Sequence, residues 1–207
     1  MTFIELAVIL GFWLVALASP GPATLAIAGT AMVSGRRSAL SLAAGVATGS
    51  AAWGLAAALG LGTVMIANAW VLETLRYVGA AYLFWLAVKS LRSAFQPRTR
   101  TAQPIRIQST KAAYTKGLMI HLTNPKAVLF WGALFAVVIS PTAPMRDIIV
   151  VGLSCAAVST FVFFSYAVVF STERAMNIYL KLGRWFDGAF AMLFGAASLK
   201  ILTTKLA

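Results

Sequence analysis

The chain alternates long stretches without any charge and short segments where charges collect. Leu6 to Gly35 carries no Asp, Glu, Lys or Arg, nor does Ser38 to Leu72, and Arg36-Arg37 separates the two. A membrane-crossing helix needs roughly 20 mostly apolar residues, so these stretches predict two spans joined as a hairpin. A third span runs from about Leu72 to Ala94, with Tyr77 to Val88 uncharged between Arg76 and Lys89, which snorkel toward the headgroups. A fourth, Ala112 to Ile139, is interrupted by Lys126. The fifth, Ile148 to Thr172, is uncharged throughout. The sixth runs from about Arg184 to Leu202, with Gly188 to Leu199 uncharged. The pattern therefore predicts an all-α membrane protein of six transmembrane helices. The first apolar run ends at Ala16-Leu17-Ala18, which looks like a signal-peptidase site. Its leading segment, however, holds Glu5 and no Lys or Arg, so it reads as a span.

Charge then sets orientation. Arg36 and Arg37 lie between spans one and two. Arg92, Arg98, Arg100, Arg106, Lys111 and Lys116 lie between three and four, with no acid among them. Arg174, Lys181 and Arg184 lie between five and six. The positive-inside rule assigns these loops to the cytoplasm and both termini to the outside. Lys200 and Lys205 disagree, since they end the sixth span on the outer side; a five-span chain or a re-entrant last segment stays open. Segment 92–116 is the one long polar stretch. Pro97, Pro104 and its Gln/Thr/Ser content suit a flexible linker.

Composition narrows the chemistry. Of the 207 residues 60% are hydrophobic and 11% charged, against about 25% charged in a soluble domain. Seventeen Lys and Arg against five Asp and Glu give +12. Such an excess can mark a nucleic-acid binder, but here it lies mostly in membrane-adjacent loops, so no nucleic-acid partner is expected. Membrane lipids are. One cysteine, Cys155, excludes an intramolecular disulfide, and His121 is the one histidine. A metal site or a catalytic triad would have to be built from almost nothing. An intramembrane enzyme is therefore not expected, nor a metal or cofactor. Carrier, channel and non-transporting scaffold remain as alternatives.

The two halves resemble each other. Pro20-Gly21-Pro22-Ala23-Thr24-Leu25 overlays Asn124-Pro125-Lys126-Ala127-Val128-Leu129; Arg76-Tyr77 overlays Arg184-Trp185; Ser90-Leu91-Arg92 overlays Ser198-Leu199-Lys200. Gly45 and Gly49 in span two, like Gly152 and Ala156 in span five, give small faces on which helix backbones approach closely. Three spans per half force the second half to lie upside down, the inverted-repeat plan of many secondary transporters. The division is repeat 1 over 1–94, a cytoplasmic linker over 95–111 and repeat 2 over 112–207, in one transmembrane domain.

Both proline motifs interrupt apolar helices. Proline removes an N–H and clashes with the preceding turn, and the freed carbonyls persist in lipid only where neighbours or a polar cavity satisfy them. At about 1.5 Å per residue, Pro22 lies roughly 20 Å from Arg36 and about 25 Å from Glu5, near mid-depth. Asn124 begins about 12 Å beyond Lys116. Half-helix ends there offer N–H groups to an anion and C=O groups to a cation. Lys126 is the charge well inside a span, where insertion costs about 2.5–3.5 kcal/mol, so it must face a partner or a wet cavity. Pro20, Gly21, Pro22, Asn124, Pro125 and Lys126 are the candidate substrate-binding residues.

In order and spacing, Pro-Gly-Pro in span one, Gly-xxx-Gly in span two, Gly79-Ala80-Ala81-Tyr82-Leu83 in span three and Asn124-Pro125-Lys126-Ala127 in span four resemble the LysE/RhtB family of amino-acid exporters. Trp185-Phe186-Asp187-Gly188 is most similar to its threonine/homoserine efflux branch. The resemblance covers nearly the whole chain. It implies a bacterial inner-membrane protein that exports amino acids or derivatives in exchange for protons. Some members carry an acid just after the second glycine of span two, where this chain has Ser50; proton coupling there and a strongly cationic substrate are disfavoured. The coupling candidates are Asp187, with Arg184 at i−3, His121, one turn before Pro125, and Glu5 at the outer mouth. The amino acid exported and the oligomeric state, a homo-oligomer included, are not legible.

Overall fold

The computed structural model describes residues 1–18, 21–67, 69–95, 109–135 and 143–203. Pro20, Lys205 and most of the 95–111 linker lie outside them. Every regular element among the described residues is helical: α1 Phe3–Ala18, α2 Pro22–Ala67, α3 Ala69–Phe95, α4 Thr110–Leu122, α5 Pro125–Ala133, α6 Met145–Val169 and α7 Glu173–Thr203. Among the described residues, two stretches are long and apolar enough to cross a membrane, Pro22–Gly60 and Met145–Val169; Phe3–Ala18 is apolar but shorter.

The elements differ from the charge pattern at two connections. The turn expected at Arg36-Arg37 is a single-residue break inside α2, at Gly35, with φ 79° and ψ 169°. That region is essentially open to glycine alone, so one residue redirects the chain and the arginines start the next helical segment. Both flanks feed one buried cluster, with Ala23, Ile27 and Ala31 before the break and Ala39, Leu42 and Val46 after it. Likewise α7 begins at Glu173 rather than near Arg184. Its charged first turns are helical because a helix satisfies its own backbone wherever the lipid ends.

Contacts between helices fix their directions. The amino group of Met1 meets Asp147, Trp13 meets Ser159 and Leu17 meets Tyr166. Both numbers rise together, so α1 runs parallel to α6. Ala28 of α2 then packs with Phe170, farther along the same line. Ser41 with Thr110, Gly49 with His121 and Gly54 with Trp131 set the second segment of α2 parallel to α4 and α5. By contrast Ser198 bonds Ala80 and Asp187 bonds Ser93, so α3 and α7 are antiparallel.

The seam between α2 and α4 is backbone against backbone. A Cβ on Gly45 would strike the Tyr114 carbonyl oxygen and lie 2.8 Å from Leu118 N, and one on Gly117 would strike the Leu42 carbonyl oxygen. Gly49 sits beside His121, where a Cβ would lie 3.0 Å from the histidine Cβ. The glycines predicted as a packing face thus receive the very helix that ends at the second proline motif.

Candidate functional site

The last turn of α1 leaves backbone carbonyls with no helical partner. Two side chains from distant elements meet them. Lys126 Nζ donates to Ala16 O at 3.2 Å, and the Tyr166 hydroxyl donates to Leu17 O at 3.2 Å.

Local chemistry shapes the second break. α4 closes at Leu122, and the N–H groups of Thr123 and Asn124 bond Met119 O and His121 O. Asn124, at φ −83° and ψ 107°, is the N-cap of α5; its Oδ1 accepts from Lys126 N at 3.1 Å. Pro125 opens the new helix, where its missing N–H leaves no bond unmade. Asn-Pro-Lys is therefore cap, first and second helical residue, and the cap aims the lysine back across to α1.

A partly open cavity of about 60 Å³ lies between the end of α1 and the start of α5. Gly21, His121, Asn124 and Lys126 line it, with Thr24, Ser50, Phe130, Phe163 and the indoles of Trp13 and Trp131. None of the described lining residues is acidic, and Lys126 is the charged one among them. His121 is 5% exposed, packs edge-on against Phe163 at 5.7 Å, and leaves Nδ1 without a hydrogen-bond partner.

Four of the sequence-derived site residues thus share one cavity. Pro22 is exposed at the start of α2. Asp187 lies elsewhere: it is 4% exposed between α3 and α7, where Ser93 Oγ donates to its Oδ2 at 2.6 Å. Glu5 is exposed at the start of α1. Its carboxylate accepts from Thr2 N at 2.7 Å while its own N–H donates to Thr2 Oγ1, a capping box. Those bonds to Thr2, the backbone one first, hold its carboxyl below the ordinary value of 4.5.

Sequence reasoning passed over Thr24, Ser50, Trp13 and Tyr166 as cavity residues or carbonyl partners. Thr24 belongs to the first proline motif and Ser50 follows the second glycine, so both carried a local signal. Trp13 and Tyr166 carried none; their places depend on contacts across 146 and 149 residues.

The family model for LysE type translocators matches residues 14–205. The chain is 26% identical to the threonine efflux protein of Escherichia coli (strain K12) over 211 residues, covering 99% of each protein. It is 30% identical to the homoserine/homoserine lactone efflux protein of Salmonella typhimurium over 177 residues, 85% of each. No solved structure matches the chain.

Proposed function

The chain belongs to the LysE translocator family, and from that premise we propose that it exports small uncharged amino acids or their derivatives, of the threonine and homoserine kind, across the bacterial inner membrane. It is a membrane protein and a transporter rather than an enzyme. The six-span, two-repeat plan fits the helix directions. If spans alternate, the first runs parallel to the fifth, the fourth parallel to the second, and the third antiparallel to the sixth. The observed pairs follow that rule.

One contact carries the mechanistic reading: Lys126 Nζ on Ala16 O at 3.2 Å, joining the two breaks. A zwitterionic amino acid brings an ammonium that competes for the α1 carbonyl and a carboxylate that attracts the displaced lysine. Substrate binding then replaces the lysine–carbonyl bond with two charge-assisted bonds to the substrate. A lining with one cation and no acid among the described residues disfavours a cationic side chain. Ligand pockets typically enclose about 300–1,000 Å³, so a cavity of about 60 Å³ must widen to admit an amino acid. Alternating access supplies that movement, as the halves rock about the breaks. Export is coupled to proton entry, and His121 is the coupling candidate at this cavity.

Uptake of labelled threonine and homoserine by everted vesicles tests the reading. The protein should give saturable accumulation over empty-vector vesicles, and Lys126→Ala should lower it at least about 100-fold with the protein still folded. Undiminished transport by Lys126→Ala, or flux rising linearly with concentration as in a channel, defeats it.

A further inference from the structure

Two tryptophans, one from each half of the chain, meet beside the breaks. Trp13 lies on α1, about 8 Å before the first break, and Trp131 on α5, about 9 Å beyond Pro125. Lys126 meets Ala16 while Trp13 meets Phe130 and Trp131, so α1 and α5 run antiparallel and lie on one side of the break level. The indoles touch edge to face with centroids 4.5 Å apart, and both line the cavity. Each donates its ring N–H to a serine of the opposite half: Trp13 Nε1 to Ser159 Oγ on α6 at 2.8 Å, and Trp131 Nε1 to Ser50 Oγ on α2 at 3.1 Å.

The cavity is partly open, and the helix contacts on its two sides differ. On the α2–α4 side, backbones meet at Gly45 and Gly117. On the α1–α5 side, side chains stand in the way, and α1 itself buries few residues, Trp13 and Ala16. We propose that Trp13 and Trp131 form the gate between the cavity and the face bearing Met1 and Asp147, and that Ser50 and Ser159 are positioning residues that latch it shut. The proposal rests on the transport reading but assigns the outer exit of the path. It gives Ser50 a role unrelated to proton coupling, as the acceptor that holds an indole across the exit.

Cysteine accessibility tests it without any transported solute. In a Cys155→Ser background, Thr24→Cys places a thiol in the cavity, and a charged maleimide that cannot cross the membrane is applied to intact cells or to everted vesicles. Ser50→Ala and Trp131→Phe should each speed labelling from the outer face about three- to tenfold, the range set by one lost hydrogen bond. The double variant should label no faster than either single one, because both remove the same bond. Labelling from the cytoplasmic face should stay unchanged. Unaltered outer labelling, equal acceleration from both faces, or additive effects in the double variant overturn the gate. A protein that labels as expected yet exports nothing overturns the export reading alone.

Discussion

Alanine at Gly117 would place a methyl group against backbone, which no rotamer change can relieve. Its Cβ strikes Leu42 O and lies 3.0 Å from Leu42 C and 3.2 Å from Leu42 Cα. Gly45→Ala is the reciprocal case, striking Tyr114 O with Leu118 N at 2.8 Å. Carbon contacts are optimal at about 3.5–4.0 Å, and a gap of about 0.5–1 Å forfeits a quarter to a half of each contact along a seam. Overpacking costs about 1–3 kcal/mol; with backbone on both sides we expect about 2–3 kcal/mol for each of these two variants. At Gly49 the Cβ would lie 3.0 Å from a side-chain carbon and 3.3 Å from Leu118 O, for which about 1 kcal/mol suffices. Gly11 has nothing within 4 Å of a built Cβ, and helix propensity favours alanine there by up to about 1 kcal/mol. Equilibrium unfolding in mixed detergent micelles, titrated with a denaturing detergent, measures the series. The expected order of loss is Gly117 and Gly45, then Gly49, with none at Gly11. A Gly117→Ala protein as stable as the parent, or the same loss at all four positions, refutes the close approach of α2 and α4.

Gly35→Ala meets no steric obstacle within 4 Å, so its cost is purely that of φ 79°; about 1–3 kcal/mol is expected in the same titration, and no loss would mean the break is not held there. The capping box at Glu5 gives a pH signature. Its folded carboxyl titrates below 4.5, so its stabilisation is present above the unfolded value and lost as pH falls through the lower folded one. The gap in thermal unfolding between wild type and Glu5→Ala should therefore be full at pH 6 and shrink as pH falls below 4.5; a gap that does not change with pH at all excludes the carboxylate as its source. Asp187→Asn should leave cavity labelling at Thr24→Cys unchanged while weakening the α3–α7 pair, seen as a lower unfolding midpoint; altered labelling would tie Asp187 to the cavity.

What the sequence made legible follows from how local each feature is. Asn124-Pro125-Lys126 announced itself because cap, proline and charge act over three residues, and the chemistry of each is fixed. The small face at Gly45 and Gly49 was legible for the same reason, although its partner α4 was not. The break at Gly35 was hidden because one glycine does the work for which a polar loop was expected. Asp187 was weighed for its neighbour Arg184 on the same helix, and its bond to Ser93, 94 residues away, carried no local signal. Long-range register decides such cases: which indole reaches which serine depends on helices that no local pattern aligns.

The parallel docking of α1 on α6 also has a consequence for biosynthesis. The partners that dock the N-terminal segment on α6, Asp147 and Ser159, lie 146 residues downstream of Met1 and Trp13. At about 5–20 residues per second, the first helix waits roughly 7–30 s after its own emergence before they exist. Until then its terminal carbonyls, later met by Lys126 and Tyr166, must be satisfied by water, lipid headgroups or the insertion machinery. The N-terminal half is in this sense an unfinished product, and completion of the chain decides when its first helix becomes fixed.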